Sequence, residues 1–239
     1  IRHRDSLGSD ADLRRGQLNL MTAGDGISHS EYSIGEEPIP LDALQFWVVL
    51  PDSARHGAPG FERHTDLPTL TLPAGEGADA EATVVLGEFA GVRSPATVHT
   101  PIVGAEIVLA PGSRVRLPLR SDWEHAVMLV EGDAVVAQHP LDRNGLLYLG
   151  DSRDAVEVSS DEGALLFLLG GEPFEDDIVM WWNFAGRSHD EIVAAREAWE
   201  AESATGAASP RFGAVEGHDV RIPAPPLPDV RLMPRSRKL

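Results

Sequence analysis

Cysteine is absent from all 239 positions. That excludes disulfides, thiolate nucleophiles and cysteine-based zinc or iron–sulfur centres together. Basic residues are scarce, 20 against 38 acidic ones, which leaves a formal net charge of -18. Such a surface repels a polyanion, so no direct nucleic-acid partner is expected. The acidic excess serves solubility equally well and names no partner by itself. No apolar run approaches the ~20 residues of a membrane span, and nothing reads as a signal peptide. A cytoplasmic location without a membrane partner is therefore the expectation. The chain opens on Ile1 and not on methionine, in Ile1-Arg2-His3-Arg4-Asp5. A segment upstream is expected to have been processed, omitted or lost.

Glycine and proline are plentiful, at 23 and 18, beside an ordinary apolar share of 42%. That mixture favours many short strands joined by turns. Leu18–Met21 reads as a short strand, and Thr22–Gly26 as a tight turn. Leu44-Gln45-Phe46-Trp47-Val48-Val49-Leu50 reads as a stronger strand, β-branched and aromatic, ending at Pro51. The stretch 52–68 is polar and reads as an irregular surface excursion.

A second rhythm follows. Strands are predicted at 82–89, 106–109, 114–119, 125–130, 133–137, 146–149, 155–158 and 164–169. Their separators include Ala110-Pro111-Gly112 and Arg143-Asn144-Gly145. Short strands about ten residues apart indicate a sandwich or small barrel. Two such clusters predict two β-domains, 1–95 and 96–185, with the change falling near 90–105 and a tail over 186–239.

One helix is predicted in that tail. Ser188 is placed to cap it and Glu191 stands at the reciprocal capping-box position. Ile192, Ala195 and Trp199 make a narrow apolar stripe suited to docking on a barrel. Residues 203–210 read as a small-residue linker, and Arg221–Pro228 as an extended proline-rich segment. Arg231, Arg235, Arg237 and Lys238 make the end basic, so it either docks on the acidic body or a neighbouring subunit, or stays solvated.

The chemically interesting stretch is Met21-Thr22-Ala23-Gly24-Asp25-Gly26-Ile27-Ser28-His29-Ser30-Glu31. On a strand, the period of two puts His29 and Glu31 on one face. An imidazole nitrogen and a carboxylate oxygen there are partial ligation for iron, manganese, nickel or zinc. Spacing alone is weak, because nine histidines and 38 acids in 239 residues give one or two His-x-acid pairs by chance. His189-Asp190-Glu191 is a second such pair.

That stretch, with His3-Arg4-Asp5-Ser6-Leu7-Gly8 before it and Leu44–Pro51 after it, resembles the pirin family of the cupin superfamily. Leu168-Leu169-Gly170-Gly171-Glu172-Pro173-Phe174 and Trp182-Asn183-Phe184 extend the resemblance over nearly the whole chain. It implies a mainly β, double-stranded β-helix (jelly-roll) bicupin with a short C-terminal helix. It also implies a metal in the N-terminal barrel alone, usually iron, held by three histidines and one glutamate. By the family pattern His29 is the third histidine and Glu31 the carboxylate. The first two histidines belong to a His-Pro-His-Arg-Gly motif that precedes the His-Arg-Asp-Ser block. That motif and the early barrel strands are expected to lie before Ile1, leaving the first barrel N-terminally truncated. Two protein ligands alone hold a divalent metal weakly.

His3 matches the histidine of the His-Arg-Asp-Ser block, which is not a family ligand. His56 and His64 sit in the polar excursion near the expected barrel mouth. His99 and His125 fall in the second β-region, where the family has no complete metal set. The resemblance implies quercetin 2,3-dioxygenase-like activity on a small aromatic, flavonol-like substrate, with Fe(II), or else nickel, manganese or zinc. Glu31 would then ligate the metal and share in substrate deprotonation. The alternatives are a non-catalytic bicupin acting through a protein partner or as a homo-oligomer, and a fragment without its metal site.

Overall fold

The computed structural model of the protein describes residues 1–35, 43–205, 210–217 and 221–234. They form two compact units. The first comprises Ile1–Arg15, Met21–Phe61 and Phe174–Leu239; the second comprises Gly16–Leu20 and Glu62–Pro173.

The first unit opens on a three-stranded antiparallel sheet of β1 (Arg2–Asp5), β2 (Asp10–Asp12) and β4 (His29–Tyr32), in the order β2-β1-β4. A separate two-stranded sheet is formed by β3 (Leu18–Thr22) and β5 (Gly60–His64).

The second unit holds the strands of the second rhythm. Its larger sheet contains β6 (Thr69–Leu72), β8 (Ala80–Phe89), β10 (Ile102–Leu109), β12 (Glu124–Gly132), β15 (Leu146–Gly150) and β17 (Ala164–Gly171). The order is β15-β12-β17-β10-β8-β6, with β9 (Val92–Arg93) paired to β8. The smaller sheet contains β7 (Ala74–Glu76), β11 (Ser113–Pro118), β13 (Ala134–Val136), β14 (His139–Leu141) and β16 (Ala155–Ser160), ordered β14-β13-β16-β11-β7. Non-sequential neighbours such as β17 between β10 and β12 are the crossovers of a jelly roll.

Alternation explains the packing. Along β11, Val115 and Leu117 turn inward and are fully buried, while Arg114 and Arg116 face water and meet Glu157 at 2.7 Å and Asp154 at 3.2 Å. Val84, Ile107, Val127, Leu129, Val136, Val158 and Leu166 share that core. Each such side chain contributes about 1.5–3 kcal/mol of hydrophobic stabilisation relative to exposure. A bulge bends β8: the register with β10 slips between Gly104 and Ala105, and the carbonyl of Val85 leaves the ladder to accept a 2.7 Å bond from Ser94 Oγ. Gly87 beside it has φ +67, and a Cβ there would stand 1.7 Å from the Ile102 oxygen.

The tail begins with the hairpin β18 (Val179–Trp181) and β19 (Phe184–Gly186), then α1 (His189–Thr205). Ser188 caps α1, its Oγ accepting the Glu191 N–H at 3.2 Å. The reciprocal bond differs from the expected capping box. Glu191 accepts from the Arg187 N–H at 2.9 Å and from both Arg55 terminal nitrogens, at 2.8 and 3.2 Å, because the ion pair draws the carboxylate outward. The apolar stripe does not dock on a barrel wall. Ile192 and Ala195 are buried against Val179, Phe184, Phe212 and Ala224, that is, against the hairpin and the chain's own C-terminal segment.

That segment runs along the helix without regular structure. The Trp199 indole N–H donates to the Ile222 carbonyl at 2.9 Å, Arg196 to the carbonyls of Ala224 and Pro225, and Arg231 pairs with Asp190. Arg235, Arg237 and Lys238 lie outside the described residues.

Two further expectations are corrected. Residues 44–50 form no strand, and Leu44, Phe46, Trp47 and Val48 are exposed. Strand propensity is largely the packing of side chains on a paired, half-buried surface, and no described strand pairs with this segment. The excursion 52–68 is also more ordered than expected, since it contains β5.

Candidate metal centre

β1 and β4 run antiparallel with His3 opposite Glu31 and Asp5 opposite His29. The period of two then puts all four side chains on the same face. Met21–Glu31 folds as the end of β3, a turn and β4. Gly24 is required in that turn: its φ is +54, and a Cβ would stand 2.3 Å from the carbonyl oxygen of Gly57, which accepts the Asp25 N–H.

His3 is the hub of the cluster. Its ring stacks on Phe61 at 4.5 Å between centroids and on His29 at 5.6 Å. Nε2 lies 3.2 Å from Asp5 Oδ2, and Nδ1 lies 3.8 Å from Glu31 Oε1. His3 and Asp5 are almost fully buried, whereas His29 and Glu31 are exposed.

Asp5 is held by hydrogen bonds from the backbone of Leu7 at 2.9 Å and Ser9 at 3.0 Å as well as by His3. Burial alone would raise its pKa, but hydrogen bonds from the Ser9 side chain and backbone, from His3 and from the Leu7 backbone outweigh it and hold the carboxyl below its ordinary range. His29 moves down as well. Loss of hydration lowers it first, Glu31 pulls it back up, and His3 pushes it down. The neutral imidazole that a lowered pKa favours is the form that ligates metals.

The sequence thus brings His29 and Glu31 together as predicted, but with His3 and Asp5 beside them. The period-two pair His3 and Asp5 was readable from the sequence; Phe61, within the polar excursion, carried no signal. The other candidates lie apart from this cluster in their contacts. His56 Nδ1 is 3.4 Å from Asp25, His64 Nε2 is 3.0 Å from Glu62, His99 is exposed, and His125 is buried within the second unit. His189 accepts the Leu232 N–H at the start of α1.

The residues present do not fit a complete metal centre. Among the described residues no group of three or more histidine, aspartate or glutamate side chains is placed to hold an ion. His3 and Asp5 are buried against each other, so the exposed donors of the cluster are one imidazole, His29, and one carboxylate, Glu31.

The pirin family model matches residues 1–48, and the model of the pirin C-terminal cupin domain matches residues 104–204. The chain belongs to the pirin family. A Pseudomonas aeruginosa protein named "Putative quercetin 2,3-dioxygenase" is 40% identical over 95% of this chain and 68% of its own length. A pirin-like protein of Caulobacter vibrioides is 32% identical over 84% of this chain and 69% of its own. The crystal structure of a quercetin 2,3-dioxygenase from Acinetobacter baumannii superposes with a TM-score of 0.82 at 36% identity, covering 97% of this chain and 74% of that one. The mainly β bicupin fold follows from that match, and the one helix among the described residues is C-terminal. No helix among the described residues is long and apolar enough to cross a membrane.

Proposed function

We propose that this pirin chain acts as a non-catalytic bicupin that binds a protein partner, its first barrel carrying half of a metal centre. The observation that carries the reading is the composition of the β1–β4 face. His29 and Glu31 are exposed there, while His3 is buried with its Nε2 3.2 Å from Asp5 Oδ2. Two protein donors bind a divalent ion weakly and fix neither its geometry nor the orientation of a substrate. The exposed apolar run containing Leu44, Trp47 and Val48 supports the partner-binding part of the reading.

A second reading is favoured by likeness to proteins named as quercetin 2,3-dioxygenases. It assigns His29 and Glu31 as ligands, Fe(II) as the metal with nickel, manganese or zinc as alternatives, and a flavonol-like substrate. It needs further ligands beside those two.

Elemental mass spectrometry with intact mass on one purified sample separates the two. The binding reading expects the mass of this chain, metal well below one equivalent, and no quercetin-dependent oxygen uptake. Near-stoichiometric iron, nickel or manganese with oxygen uptake that is lost in Glu31→Ala would overturn it.

A further inference from the structure

The face of β1 turned away from His3 and Asp5 carries charge that the reading above does not use. Arg2 and Arg4 alternate with those two residues along the strand. The register sets Arg2 opposite Asp12 and Tyr32, and Arg4 opposite Asp10. A cleft of about 390 Å³ opens there, lined among the described residues by Arg2, Arg4, Tyr32, Ser33 and Gly217. That volume suits a small molecule.

The two guanidinium groups share one carboxylate. Arg2 grips Asp10 through Nε at 2.6 Å and Nη2 at 2.5 Å, while Arg4 reaches it only through Nε at 3.4 Å. No acceptor among the described residues takes a hydrogen bond from Nη1 or Nη2 of Arg4. Nη1 lies towards Gly217, where an added Cβ would stand 3.5 Å from it and a φ of +74 favours glycine. Arg14, 4.0 Å from Asp12, is a third cation of this face. Glu216 precedes Gly217 but does not line the cleft. Three guanidinium groups against Asp10 and Asp12 leave one positive charge, in a chain whose formal net charge is -18. Tyr32, 55% exposed, gives the cleft an aromatic wall.

We infer that this cleft binds a small aromatic carboxylic acid as its anion. A guanidinium fork pairs with both oxygens of a carboxylate in one plane, and Arg4 offers that fork through Nη1 and Nη2. The single excess charge matches a monoanion better than a phosphate dianion. Tyr32 supplies a face for the ring of the acid. Asp10 fixes the arginines and also competes for them, so the affinity is moderate. The cleft lies on the opposite face of β1 from the His3 cluster, and the inference stands without any metal.

Benzoate is the probe, titrated into the intact, metal-free protein with isotope-labelled arginine while NMR follows the arginine Nε–H signals. Saturable shifts of the Arg2 and Arg4 signals are expected, with a dissociation constant of about 1 mM. Arg4→Met should weaken binding by ~10-fold or more. Arg4→Lys keeps the charge without the fork and should weaken it about 3-fold. Asp10→Asn removes the competing carboxylate and should tighten it about 3-fold. Benzamide, the same ring without the charge, should leave the signals where they are. No shift up to about 20 mM benzoate, or an Arg4→Met variant that binds as tightly as wild type, would overturn the site. Phosphate binding as tightly as benzoate would overturn the choice of a monoanion, and acetate doing so would overturn the choice of an aromatic acid.

Discussion

His3 Nε2 stands 3.2 Å from Asp5 Oδ2, with both side chains almost wholly removed from water. Asp5 is thereby the acceptor for a ring and for two backbone N–H groups of the turn that follows β1. Asp5→Ala strands those donors and should cost about 1–3 kcal/mol. Asp5→Asn keeps one acceptor oxygen and should cost less. Urea unfolding measures both, and an alanine variant as stable as wild type would show that the turn does not depend on this carboxylate.

The pH dependence of the second unit should carry the signature of His125. Its folded pKa is depressed, so as pH falls through the unfolded value of about 6.5 the unfolded chain takes up the proton first. Stability from the neutral ring is complete above that value and declines below it, towards the folded pKa. The urea midpoint of wild type should therefore fall more between pH 7.5 and 5 than that of His125→Leu. Parallel curves would place the acid sensitivity in other groups.

The second unit was largely legible in the sequence because antiparallel strands write their burial into alternation. Val115 and Leu117 between Arg114 and Arg116 are an example. The strands β6, β7, β14, β18 and β19 were missed because each spans only three or four residues, too few for a period to register. The opposite failure is Leu44–Leu50, whose composition says strand but which pairs with none of the described strands. At the candidate site, spacing revealed that His29 and Glu31 share a face. That His3 is drawn between two carboxylates depends on the register of β1 against β4, which no local pattern encodes.

Two glycines separate steric clash from backbone preference. Gly87 and Gly91 both have positive φ, +67 and +83, but only at Gly87 does a Cβ meet the backbone, at the Ile102 oxygen. Gly91→Ala should cost about 1–2 kcal/mol, the left-handed penalty alone. Gly87→Ala adds displacement of β10 and should cost upward of about 3 kcal/mol. Equal effects in thermal unfolding would mean that the β8 bulge relaxes freely.

Arg221 fastens the C-terminal segment to the helix through geometry as much as through charge. Its guanidinium carbon lies 3.6 Å from the Trp199 ring centroid and 5.7 Å from that of Phe212, while Nη1 is 3.4 Å from Glu202 Oε1 and Nη2 is 3.2 Å from Ser28 Oγ. Glu202, whose side chain is 8% exposed, also accepts the N–H groups of Phe212 and Gly213. Arg221→Lys keeps the charge but loses the planar stack and the forked donors, so about 0.5–1 kcal/mol should disappear. Arg221→Ala also leaves the Glu202 carboxylate without its cation, and the loss should rise to about 2–3 kcal/mol. Thermal unfolding should therefore rank wild type above lysine and lysine above alanine. A lysine variant indistinguishable from wild type would assign the contact to charge alone, and one as weak as alanine would assign it to the stack on Trp199.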